Sequence, residues 1–426
     1  MNKVSLWNEA TLEKVLLSLL LIVCLFLSIN SAFDGGDFDV YLEAAYKLYH
    51  GQNPYLPPYS KNGMGYSYSP FFIMLLIPFT YNYFITELVW CLLSFWFIYR
   101  SFIIFEKYLD LRFMNRLTYM KYVMLLVVLS FQFMSNNIGM VQVTPFLIWI
   151  IFESINLIHS GKNILGGILL GIGINIKILP IVFIGYLFYR GYFMALIACI
   201  VCFIGLYFVP SIFWGYEYNL TLLSDWWVII NPTSKEHQVE IGIGTHSMVA
   251  FLPVYLSDTG GELLFKRNIF NMSIDSAIIV TNLASLFLVA CSLLYFRCNL
   301  FIREKFKVKA LWEICYFMLL IPLIFPHQQK YAFLFAIPMV AYILYFIFRT
   351  FGLYKNLLLY RFVVFTFGFV MIVYSPIHGS DIIGGDLFKL SQHYRLITIA
   401  TLILIPISLY CNPQKLLSLV TDDKNK

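Results

Sequence analysis

Charge is what this chain of 426 residues has least of. Only 12% of it is Asp, Glu, Lys or Arg, against about 25% in an ordinary soluble domain. By contrast 60% is hydrophobic, and the mean hydropathy is +0.77. So little polar surface cannot coat a water-soluble globule of this size. That excludes a cytosolic enzyme, a disordered protein and a nucleic-acid binder. A disulfide framework is missing too. The eight cysteines (24, 91, 199, 202, 291, 298, 315 and 411) lie in or beside apolar runs and never in the long polar loops, so they read as buried thiols. No Cys/His cluster has zinc spacing, and neither a metal nor a cofactor is expected. There is no repeat of fixed period, no low-complexity stretch and no sizeable soluble domain. The ten-residue alternation of a membrane β-barrel is also lacking. What the chain does have is long unbroken apolar runs, the mark of an all-α polytopic membrane protein.

A spanning helix needs about 20 apolar residues, because its backbone polar groups must be satisfied within the segment. The first run is 15–33, preceded by Lys3 and Lys14. It is too long for a cleaved signal peptide, and many further spans follow. After a polar stretch at 34–69, apolar segments fall near 70–105, 122–135, 141–158, 164–189, 192–212, 277–296, 310–325, 331–348, 362–374 and 395–411. Within the first of these, 70–80 reads as an interfacial piece and 83–104 as the span. Basic residues set the orientation. Lys107, Arg112, Arg116 and Lys121 share one loop; Arg297, Arg303, Lys305, Lys307 and Lys309 share another; Arg349, Lys355 and Arg361 share a third. All three are expected to be cytoplasmic, together with both termini. Lys162 and Arg190 then flank 164–189 on the same side, so that segment must turn back. Lys177 and Pro180 at its midpoint mark the break between two short helices. This gives about 12 crossings in one integral membrane domain, residues 1–426, in a multi-pass plasma (inner) membrane. The external side collects 34–69, 135–140, the Lys177 turn, the long loop 213–275, 326–330 and 375–394, with short amphipathic helices in the loops.

The first external loop reads Phe33-Asp34-Gly35-Gly36-Asp37-Phe38-Asp39-Val40-Tyr41. Three carboxylates so close to hydrocarbon cost free energy unless partnered or wetted. The glycines permit a tight turn that aims a side chain toward the membrane. For Asp34 and Asp39 the simpler reading is a solvated turn capping a helix from Phe38 to Tyr49. The loop continues to Tyr66-Ser67-Tyr68-Ser69-Pro70, where an interfacial aromatic belt accounts for most tyrosines and Tyr68 is a candidate sugar contact. Pro326-His327-Gln328-Gln329-Lys330 is a short turn between apolar spans. Its imidazole, amides and ammonium suit a phosphate grip; the alternative is a snorkelling Lys330. Lys177 interrupts an apolar run and is functional by default. Gly244-Thr245-His246-Ser247 and Asn136-Asn137-Ile138-Gly139-Met140-Val141-Gln142 read as simple polar turns, and His378, Asp381, Asp386 and His393 as surface. The combination suits transfer of a group from a lipid phosphate. The cations bind the leaving phosphate and a carboxylate takes the proton of the attacking hydroxyl. Direct attack inverts the anomeric centre. Asp37 and the turn at 327–330 must then meet at one lipid-accessible pocket.

The order of these features resembles the GT-C superfamily of multispanning glycosyltransferases. It is most similar to the family 87 type of polyprenyl-phosphate-mannose-dependent mannosyltransferase, over roughly residues 15–345. Asp37-Phe38-Asp39-Val40-Tyr41 resembles the family's first-loop Asp followed by Val-Tyr. Gly51–Tyr55 is similar to its Gly-x-x-x-Tyr turn, and Tyr68-Ser69-Pro70-Phe71 to its Tyr-Pro-Pro-Phe element. Gly166-Gly167 through Gly171 to Lys177-Ile178-Leu179-Pro180 resembles its glycine-rich helix ending in Lys-x-x-Pro. Thr245-His246-Ser247-Met248 stands where the family has Asn-Gln-Ser-Leu, and Phe325-Pro326-His327 where it has Ser-Pro and following histidines. The resemblance implies a GT-C helical bundle and a hexosyltransferase, with mannose as the family's sugar. It implies Asp37 as general base and His327, with Lys330 and Lys177, on the donor phosphate. Asp39, Tyr41, Tyr68, Gln328 and His246 are the substrate-binding candidates. The partners implied are a polyprenyl-phosphate sugar, a lipid-linked or glycan acceptor and membrane lipids, with no nucleic acid. Two departures stand out: Phe for Ser before Pro326, and two glutamines where a second histidine belongs. The rival functions are a transporter or flippase, which would show buried charges in paired half-repeats, and a diphosphate-oligosaccharide polymerase, which would show an arginine-rich outer loop.

Overall fold

The computed structural model describes residues 3–416 apart from 59, 61, 62 and 298. Cys298 and most of the C-terminal tail thus lie outside the described residues. Within them the chain is all α-helix with short 3-10 turns; the only β feature is a single bridge, Thr245 to Gln329. Five helices are long and apolar enough to cross a membrane: Tyr83–Glu106, Arg116–Gly139, Phe193–Trp214, Ile274–Phe296 and Lys330–Tyr354. Two bent pairs raise the number to seven, Ser18–Asp34 with Asp37–Tyr49 (51°) and Gly385–His393 with Leu396–Tyr410 (57°). Seven is fewer than the twelve crossings expected. Several apolar segments fold as helices of 17 residues or fewer, among them Thr144–His159, Asn163–Ile176, Leu179–Tyr189 and Leu358–Tyr374. The outward side chains of the long helices, such as Leu283, Leu286 and Phe287, are apolar and exposed, as lipid-facing residues are.

The described residues form two compact units. One comprises Met1–Arg100, Ser135–Trp149 and Tyr207–Ile229; the other comprises Ser101–Met134, Ile150–Leu206 and Ile230–Lys426. In the first, the Asp37–Tyr49 helix buries Phe38, Tyr41, Leu42, Ala45 and Leu48. Tyr41, Tyr55, Tyr66, Tyr68 and Phe72 form a continuous aromatic cluster. The Tyr55 hydroxyl ties it to the Tyr68 carbonyl at 2.8 Å. Ser69 caps the helix that follows, accepting from the Phe72 amide, with Pro70 at its first position.

In the second unit, glycine governs the closest helix pair. A β-carbon on Gly171 would lie 2.6 Å from the Cys199 carbonyl oxygen, and one on Gly167 would overlap the Ala195 carbonyl. Asn175 donates to the Phe203 carbonyl at 3.1 Å. The partners rise together along both helices, so Asn163–Ile176 and Phe193–Leu206 run parallel. Small residues four apart allow such backbone contact. Because these helices are parallel, the chain between them must travel back. It does so through an extended Lys177, a 3-10 turn at Leu179–Ile181 and the helix Val182–Tyr189. Arg190 ends this return fully buried. It donates to Glu313 from Nε at 3.0 Å and to the Ile302 carbonyl from Nη1 at 2.9 Å. Lys309 completes the network by pairing with Glu304 at 2.7 Å. All seven described cysteines are free thiols, and only Cys24 and Cys202 are even partly exposed.

Replacing Gly171 by Val is expected to force the parallel pair apart and lower stability by about 2 kcal/mol or more. Gly185→Ala, where a β-carbon meets nothing within 4 Å, should leave stability unchanged or slightly higher. Thermal unfolding of the purified protein in detergent measures both, and equal midpoints for the two variants would refute the parallel seam.

Candidate functional site

Asp37 opens its helix where the first span bends. Gly35 has a φ of +67° and Gly36 is extended, which turns the chain sharply enough to restart helix at Asp37. The turn is clamped from a distant segment. The Asp37 amide donates to the Met140 carbonyl at 3.0 Å, and the Gln142 side-chain amide donates to the Asp37 carboxylate. A β-carbon at position 36 would stand 2.8 Å from the Met140 carbonyl oxygen, so only glycine admits this approach. Gln142 is 1% exposed and is itself held, its backbone amide on Asn137 and its carbonyl accepting from Trp90 Nε1 at 3.1 Å. Asp37 keeps partial exposure. It therefore presents a fixed carboxylate beside the helix N-terminus, whose dipole favours the anion.

The other candidates on this unit are placed differently. Asp39 packs over Gly35, with the buried Glu87 close to its carboxylate. Asp34 is exposed. Tyr41 donates to the Tyr68 hydroxyl at 2.7 Å, and both rings are buried in the aromatic cluster. That burial gives them a packing role in the loop.

The second unit gathers the remaining candidates. His327 sits in the left-handed region (φ +56°) and is clamped by Glu240. One Glu240 oxygen accepts from the His327 amide at 2.5 Å and lies 2.9 Å from its ring Nδ1. A carboxylate only accepts, so Nδ1 carries the hydrogen. Nε2 is hydrogen-bonded to His237. Next along the turn, the Gln328 carbonyl accepts from the His246 amide at 2.8 Å, and the Thr398 hydroxyl donates to the His246 carbonyl at 2.5 Å. Lys330 lies over the Phe388 ring at 5.3 Å, and Lys177 over the Tyr331 ring at 5.5 Å. Lys177, His246, His327, Gln328 and Lys330 thus converge on the turn between two spans.

Beside them lies a knot of buried polar groups. His246 is 1% exposed, His378 5% and Gln392 7%. Neither ring nitrogen of His246 or His378 has a hydrogen-bond partner within 3.5 Å among the described residues, although the Gln392 amide approaches His246. Burial, reinforced by the positive charge of Arg395 and then Lys330, pushes the His246 imidazole down to about 3. Burial and Lys330 push His378 down as well. Buried donors facing cations and lacking acceptors are suited to an anion. Reading His378 and His393 as surface is corrected here: His393 is fully buried, its Nε2 2.8 Å from the Phe265 carbonyl. Asp381 and Asp386 are exposed. Gln142, His237, Glu240, Gln392 and Arg395 were not singled out from the sequence. Gln142 alone stood in a turn already noted. The remaining four carry no local spacing that marks them.

One unit thus carries a clamped carboxylate and the other a cation-rich polar turn, among helices apolar enough to cross a membrane. The family model for glycosyltransferase family 87 matches residues 66–376. The chain belongs to that family and is a glycosyltransferase. The matched span includes Tyr68, Lys177, His246, His327, Gln328 and Lys330 and begins beyond Asp37. No curated protein and no solved structure matches the chain significantly.

The buried histidines make stability depend on pH. An unfolded imidazole binds a proton near pH 6.5, whereas folded His246 does so only near 3. Between those values the unfolded chain holds more protons, so stability is full above about pH 6.5 and falls as pH drops. The His246 contribution to the loss from pH 7 to pH 5 is on the order of 2 kcal/mol. His246→Asn should flatten the fall in thermal midpoint between those pH values; an unaltered slope would mean His246 is already protonated in the fold.

Proposed function

We propose that the protein moves a hexose, mannose by family likeness, from a polyprenyl-phosphate donor to a hydroxyl of a lipid-linked or glycan acceptor. The reaction runs at the external face of a plasma (inner) membrane, with inversion at the anomeric carbon. The observation that carries this reading is Asp37: a partly exposed carboxylate, immobilised by Gln142 and by the Met140 carbonyl, at the break of the first span. As general base it takes the acceptor's proton while that oxygen attacks the anomeric carbon. The bond to the donor phosphate breaks, and the phosphate leaves with the electron pair. Lys330, with Lys177 and the imidazole donors, stabilises the leaving dianion. Both His327 nitrogens have protein partners, so contact with phosphate through Nε2 requires His237 to move aside and Nε2 to carry a hydrogen as well as Nδ1, because a phosphate oxygen only accepts. Glu240 keeps the hydrogen on Nδ1 and holds the ring during that exchange.

In this reading both termini are cytoplasmic, and the short apolar helices add to the seven long spans to approach twelve crossings. Asp39, Tyr41, Tyr68, Gln328 and His246 shape the substrate site, Tyr41 and Tyr68 from within the packed loop.

Asp37→Asn should lower sugar transfer about 10²–10⁴-fold, the usual worth of a general base, with expression and unfolding temperature unchanged. The assay is purified protein with a polyprenyl-phosphate sugar; full activity of the variant would remove the mechanism. His327→Ala and Lys330→Ala should raise the donor KM about tenfold and leave the acceptor KM unchanged. Donor kinetics unchanged from the parent protein in both variants would unseat the phosphate grip.

A further inference from the structure

We infer that the second unit carries a separate site for the phosphoryl group of an anionic membrane lipid, built around Arg267. The claim is independent of the glycosyl-transfer reading. Arg267 is 6% exposed. Its Nη2 donates to the Gly260 carbonyl at 2.7 Å and to the Ile241 carbonyl at 3.4 Å. Its Nε and Nη1 have no partner among the described residues, which leaves three N–H bonds of a buried guanidinium without acceptors. Such groups are expensive to bury unpaired. Arg267 is among the residues from 254 to 268 that line a cleft of about 240 Å³, together with Thr259, Gly260, Gly261 and the exposed Lys266. Two carboxylates are near. Asp258 lines the cleft and Glu262 lies close to Arg267, but both are exposed and neither forms an ion pair with it. Arg395 adds further positive charge behind the cleft and has its own unpartnered Nη1. The planar guanidinium fork fits two phosphoryl oxygens.

The surroundings choose a lipid-borne phosphate over a free one. Leu264, Phe265, Ile269, Phe270 and Met272 are all exposed on the same loop, Leu264 completely. The loop is held in place: the Ile269 and Met272 amides donate to Tyr255 and Leu256, and the Tyr394 hydroxyl donates to the Lys266 carbonyl. Immediately after it, Ser273 caps the spanning helix Ile274–Phe296. Bulky apolar side chains one turn from a membrane span, flanking Lys266 and Arg267, sit at the depth of lipid headgroups. There the apolar side chains meet acyl chain and the guanidinium meets phosphate.

The test uses the full chain purified in detergent and titrated with short-chain phosphatidylglycerol or phosphatidylcholine, with binding read by native mass spectrometry. Phosphatidylglycerol should bind about tenfold more tightly. Arg267→Gln should reduce the preference to within twofold, and Lys266→Gln should reduce it about threefold. Should Arg267→Gln not fold, Thr259→Phe fills the cleft with the guanidinium intact, and it too should lose the preference. Equal binding of the two lipids by the parent protein, or an undiminished preference in a folded Arg267→Gln or Thr259→Phe variant, overturns the site. In a third arm, 10 mM inorganic phosphate should leave bound phosphatidylglycerol in place; its complete displacement would overturn the assignment to lipid and make this a free-phosphate site.

Discussion

Hydrocarbon supplies no hydrogen bonds, so every interruption of a helix within or beside the membrane leaves backbone groups that the protein itself must satisfy. The distribution of chemistry in this molecule follows from that demand. Asp37 stands at the break between Asp34 and the next helix, and Lys177 at the break between Ile176 and Leu179. His327 and Lys330 fall between Ile324 and Tyr331, and Arg395 between His393 and Leu396. Three of these breaks are tied to groups from elsewhere in the chain. Met140 and Gln142 serve the first, Glu240 and His246 the third, and at the fourth the Arg395 guanidinium reaches the carbonyls of Ala250 and Ile241. The same contacts that repair the backbone fix the orientation of the reactive side chains.

The two units solve the problem with opposite charge. The first offers a carboxylate at a helix N-terminus, held by an amide. The second offers imidazoles, a lysine and arginines whose donors outnumber nearby acceptors. An acid–base transfer from a phosphate ester needs both: a site for the proton that leaves and a site for the negative charge that accumulates. The match to glycosyltransferase family 87 over residues 66–376 includes the turn at 327–330 and begins beyond Asp37.

How much of this could be read beforehand depends on range. The apolar runs and the break at Lys177 are written in local sequence, as are the patterns that single out Asp37 and His327: a charge in an apolar stretch, a Gly-Gly before an Asp, a proline beside a histidine. Their partners are not. Gln142 lies 105 residues from Asp37, and Glu240 lies 87 from His327, and neither belongs to a pattern that points across such distances. His378 and His393 looked like surface because their loop is polar, yet tertiary packing buries both. The predicted break of 164–189 at Lys177 into two short helices is present as Asn163–Ile176 and Val182–Tyr189, and such short apolar helices are why a length criterion finds up to seven spans among the described residues.

The clamp on Asp37 also bears on how the molecule comes into being. A carboxylate made among the first forty residues cannot be locked until the turn around Met140 has left the ribosome and joined it, some hundred residues later. At typical elongation rates of about 5–20 residues per second, that is an interval of roughly 5–20 s. The nascent acid spends this time without its partner, and the contacts that hold it arrive only after several helices have been made.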